Sequence, residues 1–420
     1  VDKANDQASE RVDVVFAILG DPHFALESGN GSHLKIKTSG DLASERPNQN
    51  PWAGLYELIH KESLSADAVL CPGDIAFQSN KETLKAGWRH LVDLGRRLKA
   101  EHVISATGNH DISSRSNAKL VLEDPIANLK AGYGLFETLK LLDPPYPAFN
   151  LIDTNPTIGH EQRVRYFGSG LLLVQAERYQ ILIVNSCCEH GHDAIEYQRG
   201  TFPESAVTEL TRALKECANG KINVAVMHHP PAPHAQAGAG AHDFMDNGHE
   251  LLQQLAANGD WLVIHGHKHE AKLEYAAGSA FQPIIFGAAS LAIFLEEIKG
   301  TVKNQFYLLK MSVDKNGLKG HFRVWDWNQG RGWQLANPED DGIYDGATFG
   351  TRDSNKVASD IVALAPLPMA WAEVLERVPD AGYLPPAARN LLRNRLRTTH
   401  GRDIEVGSDG QWTQLLKVAP

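Results

Sequence analysis

Seven side chains set the problem: Asp21, His23, Asp74, Asn109, His228, His267 and His269. All are oxygen or imidazole donors and none is a thiol. That mixture suits borderline ions such as Mn, Fe, Zn, Co or Ni, and argues against Ca or Mg as the native pair. Seven donors are too many for one tetrahedral zinc. If the Asp74 carboxylate bridges, the set divides into two sites of four protein ligands each. Two ions about 4 Å apart can share a hydroxide, lower its pKa and hold two oxygens of a phosphate. In Asp21-Pro22-His23 and His267-Lys268-His269, alternate residues of an extended segment would share one side and reach one ion.

These residues need elements to position them, and the chain supplies a repeating one. VDVVFAILG (12–20) is short, β-branched and continuously apolar, which predicts a buried strand, and it stops just before Asp21. DAVLCPGD (67–74) ends on Asp74, and HVISATGNHD (102–111) ends on Asn109, His110 and Asp111. YQILIVNSCCEHG (179–191) runs into Asn185, Glu189 and His190. KINVAVMHHPPAP (221–233) reaches His228 and His229, and DWLVIHGHKHE (260–270) carries His265, His267 and His269. Helical spacing at 52–64, 88–100, 205–217 and 249–258 separates the runs. This is an α/β arrangement, in which ligands collect at the carboxyl ends of strands. FQPIIFGAASLA (281–292) is a further apolar element, and 304–314 with 318–328 are expected as antiparallel strands of a second sheet. Gly-Asn at 108–109 alone could be a plain turn, but the recurrence of such strand ends makes a functional site the better reading.

Composition bounds the alternatives. The 420 residues carry 41 Lys plus Arg against 51 Asp plus Glu, a net charge of −10. That disfavours long nucleic acid or an anionic membrane as the main partner. The four cysteines, at 71, 187, 188 and 217, are too few and irregular for a disulfide framework or a CxxC zinc site, and ordinary buried thiols are expected. No apolar run reaches membrane-spanning length, no secretory signal is evident in the sequence given, and a cytoplasmic protein is expected.

The pattern Asp21-Pro22-His23, Gly73-Asp74, Gly108-Asn109-His110-Asp111, His228 and Gly266-His267-Lys268-His269 resembles the calcineurin-like metallophosphoesterase superfamily, over roughly residues 11–330. The resemblance implies a four-layer α/β/β/α sandwich with a C-terminal extension (331–420), and metal-dependent hydrolysis of phosphomonoesters or phosphodiesters. It implies Asp21, His23 and His269 on one metal, Asn109, His228 and His267 on the other, and Asp74 bridging. His110 takes the place of the family's general acid or phosphate-oxygen donor. Many relatives carry an Asp three residues after the bridging Asp to orient that His; Phe77 stands there in this chain. GDxxDRG and GNHE are absent, which counts against a protein serine/threonine phosphatase.

Segments 24–51, 112–178 and 230–250 are expected as insertions walling the site, with His33, Lys35, Lys37 and Arg46 on the first, His234, His242 and His249 on the third, and Arg199 as a possible phosphate clamp. Residues 387–403 form a basic amphipathic helix, for which packing of its Leu face is expected over anion binding. The reading is hydrolysis of a small phosphate ester or nucleotide. The alternatives are a nuclease of the same superfamily and a non-catalytic module, for which the loss of a ligand would be the sign.

Overall fold

The computed structural model of the protein describes residues 12–26, 45–112, 136–190, 198–233, 243–277, 282–293, 303–314, 317–338 and 342–418. In chain order its strands are β1 (Val12–Ile18), β2 (Ala68–Cys71), β3 (His102–Ser105), β4 (Ala148–Phe149), β5 (Leu171–Gln175), β6 (Tyr179–Val184), β7 (Ile222–Val226) and β8 (Trp261–His265). There follow β9 (Lys272–Tyr275), β10 (Ile284–Gly287), β11 (Gln305–Asp314), β12 (Gly317–Asn328), β13 (Gly332–Leu335), β14 (Thr348–Phe349), β15 (Met369–Ala370), β16 (Arg402–Val406) and β17 (Trp412–Lys417). One sheet runs β13-β12-β11-β1-β2-β3-β4 with β14 added on β12, and a second runs β5-β6-β7-β8-β10-β9.

The continuous apolar runs are explained by burial on both faces. Along β6, Ile181 and Ile183 enter the core shared by the two sheets, while Leu182 and Val184 face the helices outside. The same alternation recurs in β7 and β8, with Val224, Val226, Leu262 and Ile264 inside and Ala225, Trp261 and Val263 outside. Across the inner core, Phe16 of β1 meets Tyr179 of β6 edge-on at 5.2 Å, and Phe286 of β10 meets Tyr307 of β11 at 5.0 Å. The helices Glu204–Glu216 and Gly248–Ala257 cover the second sheet. Pro51–Glu62 and Lys81–Arg97 cover the first, each opened by an asparagine side chain (Asn50, Asn80) that accepts two backbone N–H groups. The result is the expected α/β/β/α sandwich.

One expectation is corrected. β11 and β12 do not belong to the second sheet: β11 pairs antiparallel with β1 along its full length, from Val12 opposite Val313 to Ile18 opposite Tyr307. Alternating hydrophobicity predicted the strands and their mutual pairing, but which free edge they extend is decided by long-range docking. Within 112–178, treated above as an insertion, the described part holds β4, β5 and the helix Pro156–Ser169, so part of that segment is built into both sheets.

Beyond the sandwich, the helices Ser354–Val362, Trp371–Arg377 and Pro386–His400 pack with the sheet β15-β17-β16 around a core of its own that includes Val374, Leu392, Leu396, Ile404 and Leu415. The basic helix behaves as expected: Leu392 and Leu396 are buried, Gly401 closes it at φ 59°, and Arg393 and Arg397 lie 3.5 and 3.8 Å from Asp403. Among the described residues no helix is long and apolar enough to cross a membrane.

Candidate metal centre

The chain leaves β1, β2, β3, β7 and β8 at one rim of the sandwich, and backbone hydrogen bonds lace the exits together. His23 N–H donates to the Asp74 carbonyl at 3.0 Å, and Gly266 N–H to the His228 carbonyl at 3.0 Å. Leu291 N–H reaches the Gly20 carbonyl across the two sheets at 2.6 Å. The exits are not extended. Asp21, His23, Asp74, His267 and His269 have φ of 33°, 49°, 51°, 72° and 57°, in the left-handed region that ordinary side chains avoid. The expectation that D-x-H and H-x-H act as extended pairs is therefore corrected: tight turns aim these side chains. Backbone of this kind costs about 1–3 kcal/mol per residue and persists where its surroundings impose it, often at functional sites.

Glycines make the turns possible. A Cβ on Gly108 would lie 2.1 Å from Asp74 Oδ1 and 2.2 Å from the Asp74 nitrogen, and one on Gly266 would lie 2.3 Å from Asp21 Oδ1. The glycine of each motif is thus the space into which a carboxylate is pressed. Gly108→Ala is expected to displace Asp74 and empty the centre of metal while the sandwich still folds. Elemental analysis beside circular dichroism checks this, and full metal content in the variant would refute it.

Around Asp74 the side chains converge. Its Oδ1 accepts His110 N–H at 2.8 Å, while its Oδ2 lies 3.6 Å from His23 Nε2 and 3.4 Å from His228 Nε2. His228 Nε2 is 2.9 Å from Asn109 Oδ1 and 3.3 Å from His267 Nδ1. His228 Nδ1 faces the Pro72 carbonyl at 3.1 Å. A carbonyl only accepts, so with the proton on Nδ1 this contact is satisfied and Nε2 and Asn109 Oδ1 are left as two lone-pair donors for an ion between them, the tautomer a ligand requires. On the other side, Asp21 Oδ2 accepts His267 N–H at 2.9 Å and lies 3.2 Å from His269 Nδ1, which also meets Ser290 Oγ at 2.5 Å. Asp21 Oδ1 is buried with no hydrogen-bond partner.

Three donor groups overlap here: His23 with Asp74 and His110, Asp21 with Asp74 and His228, and His228 with His229 and His267, each with its ligating atoms within 4.8 Å of one another. Sharing Asp74 and His228, they form a dinuclear metal site. Its residues suit metal ions on their own chemistry, because a buried carboxylate oxygen without a donor and several mutually close imidazoles are costly unless a cation satisfies them. Burial holds the imidazoles neutral, ready to ligate: His228 is brought down to about 4, and His23 and His267 are lowered by burial and then by neighbouring rings.

The remaining sequence expectations resolve as follows. His110 stacks on Phe77, with ring centroids 5.3 Å apart and planes 16° from parallel, and its Nδ1 accepts Gln78 N–H at 3.2 Å. Phe77 thus supplies by stacking part of the orientation that a carboxylate gives elsewhere. Asp111 is a turn residue, with its two oxygens accepting Ala76 N–H at 3.0 Å and Gly108 N–H at 2.9 Å; burial raises it to about 7. His265 is buried, with Nδ1 3.0 Å from the Gly266 carbonyl. Arg199 is no free phosphate clamp, because it is ion-paired with Asp246. His33, Lys35, Lys37, His234 and His242 lie outside the described residues. Sequence reasoning missed Ser290 beside His269 and gave no metal-binding role to His229, whose ring lies 4.5 Å from that of His267. Adjacency to His228 was the only signal for the latter.

Solved structures of similar fold include a dimetal phosphatase from Danio rerio, 10% identical, with 76% of this chain and 98% of that chain covered and a TM-score of 0.43. A purple acid phosphatase from yellow lupin (Lupinus luteus) seeds is 12% identical, covering 82% of this chain and 55% of that chain at a TM-score of 0.44. Haemophilus influenzae NAD nucleotidase is 12% identical, with 92% and 61% covered and a TM-score of 0.35. No curated protein sequence matches the chain significantly. The family model described as calcineurin-like phosphoesterase matches residues 14–271, the stretch that carries every residue of the centre, and the chain belongs to that family.

Proposed function

We propose that the protein hydrolyses a phosphodiester or phosphomonoester of a small molecule or nucleotide, with Asp21, His23 and His269 on one metal ion, Asn109, His228 and His267 on the other, and Asp74 between them. The observation that carries this reading is the convergence of both donor sets on the Asp74 carboxylate, with the His228 tautomer already set by Pro72. The oxygen and imidazole donors favour Mn, Fe or Zn, with Ni or Co also compatible. Ions bound there would supply Lewis-acid charge and a water of lowered pKa as nucleophile.

The chain's own residues do the rest. Because Gln78 N–H occupies His110 Nδ1, a neutral His110 carries its proton on Nε2. That proton is available to a phosphate oxygen or to the leaving-group oxygen as its bond to phosphorus breaks and the bond from water forms. Phe77 and the Asp74-bound backbone of His110 hold the ring in place.

The catalytic domain is proposed to span 11–330, with 331–420 an extension packed on it whose first strands, β13 and β14, continue the first sheet. The net charge of −10 supports a compact substrate over a long polyanion. The four cysteines are free, which supports a reducing, cytoplasmic setting. The test is a panel of p-nitrophenyl phosphate, its bis ester, cyclic nucleotides, and single- and double-stranded DNA, run on metal-loaded protein. A small ester should be turned over fastest. Preferential cleavage of long DNA would favour the nuclease reading, and no turnover with both metals bound would favour a non-catalytic module.

A further inference from the structure

The turn that follows β6 carries Cys187 and His190, and beside them stands His229, which follows β7 and also borders the His228 and His267 donors; none of the three has a role in the proposed reaction. Cys187, His190 and His229 are buried, at 0%, 4% and 0% exposure, and their ligating atoms lie within 4.8 Å of one another. Each has one anchor. Cys187 Sγ faces the Thr107 carbonyl at 3.4 Å, His190 Nε2 the Arg199 carbonyl at 3.0 Å, and His229 Nδ1 the Ser186 hydroxyl at 2.8 Å.

The anchors leave donors over. A carbonyl only accepts, so His190 Nε2 carries the proton in the neutral ring and Nδ1 is left with a lone pair. That Nδ1 is buried with no hydrogen-bond partner, and so is His229 Nε2. Two orphaned buried nitrogens beside a thiol are unusual, since nearly all buried polar atoms find a partner. Gly200 adds a constraint: a Cβ there would come 2.5 Å from His229 Cβ, so the ring is pressed into its position.

We infer that Cys187, His190 and His229 form a third metal site, distinct in chemistry from the dinuclear centre and selective for a thiolate-binding ion of the zinc type. Thiolate and imidazole are both zinc donors, and three protein ligands leave the fourth tetrahedral position open. Ligand atoms on a tetrahedral zinc stand about 3.3–3.8 Å apart, so a set within 4.8 Å needs only a modest contraction to close on an ion. Binding replaces the Cys187 S–H proton, which passes to solvent, and no electron moves. His190 also lines the cavity beside Phe136 and Phe167, which gives an ion a way in. The ring of His229 lies 4.9 Å from that of His228, so the third ion would sit one imidazole away from the reacting pair.

Cobalt(II) is the probe, because a thiolate-to-cobalt charge-transfer band in the near ultraviolet reports sulfur ligation that an oxygen and imidazole centre cannot produce. The full chain, stripped of metal and titrated with cobalt(II), should take up three equivalents and develop the band. Cys187→Ser should lose the band and one equivalent and keep two, whereas Cys188→Ser should keep band and stoichiometry. His190→Gln should also lose one equivalent, which keeps the test usable if the serine variant fails to fold. Saturation of the wild-type chain at two equivalents with no band, or a band that survives Cys187→Ser, would overturn the site. Failure here leaves the dinuclear reading standing, since that reading is judged on the first two equivalents and on turnover.

Discussion

Asp74→Asn is expected to abolish nearly all hydrolysis of bis-p-nitrophenyl phosphate or p-nitrophenyl phosphate and to lower metal content below two ions per chain. The substitution keeps the shape of the side chain and removes its charge. In the native chain one carboxylate oxygen is spoken for by His110 N–H at 2.8 Å, and the other stands 3.6 Å from His23 Nε2 and 3.4 Å from His228 Nε2. An amide must place its NH2 on one of these sides. If it faces His110, two donors oppose each other; if it faces the imidazoles, the shared anionic anchor is gone. Loss of even an outer-shell partner typically costs 10–100-fold in affinity or activity, so removal of a shared ligand should exceed about 100-fold. Asp74 is buried at 1% exposure, so solvent cannot replace the missing charge. Turnover at the normal rate with two ions bound would remove Asp74 from its bridging role.

The second large effect is expected at His110. His110→Ala should reduce turnover by about 10²–10⁴-fold, the range for loss of a positioned acid or base, while both ions remain bound. The geometry makes this a demanding test, because His110 lies as close to His23 and Asp74 as a ligand would. What sets it apart is its Nδ1, which is occupied by Gln78 N–H, and its ring, which is held flat against Phe77. Metal analysis separates the two roles. Retention of both ions with lost turnover supports proton donation or charge stabilisation, and loss of one ion would make His110 a ligand. Phe77→Ala offers a graded companion, since it removes the stacking surface and leaves every donor in place.

The centre was legible in the sequence to the extent that its residues are tied to strand ends. An apolar run buried on both faces must stop where the chain leaves the core, so Asp21, Asp74, Asn109, His228 and His267 could be placed at one rim from the runs alone. Two kinds of information were not available that way. The first is which free edge a strand extends: β11 and β12 show a clear period of two, yet nothing local says that β11 lies against β1. The second is the set of contacts made between loops distant in sequence. The Ser290 hydroxyl beside His269, the peptide of Gln78 beneath His110 and the cluster at Cys187 each depend on side-chain direction after both sheets have docked. Local turn geometry was misread for a related reason. Alternation along an extended D-x-H is enough to aim two ligands, whereas Asp21 and His23 have left-handed backbone and Gly266 leaves the room that the Asp21 carboxylate fills, neither of which sequence spacing reveals.

The proposed ligands divide between the sheets: Asp21, His23, Asp74 and Asn109 leave strands of the first, and His228, His267 and His269 leave strands of the second. Neither half of the molecule therefore owns a complete binding site, and an order of assembly follows. A nascent chain that has built β1 to β3 holds only a partial chelate, and the imidazoles that complete it arrive with β7 and β8, more than a hundred residues later. β1 itself stays half-paired until β11 is made and closes along it. Tight capture of the pair is thus a late event in the life of the chain, a rivet set through two plates that have already met, and the ions that end up there are those available to the finished protein rather than to its folding intermediates.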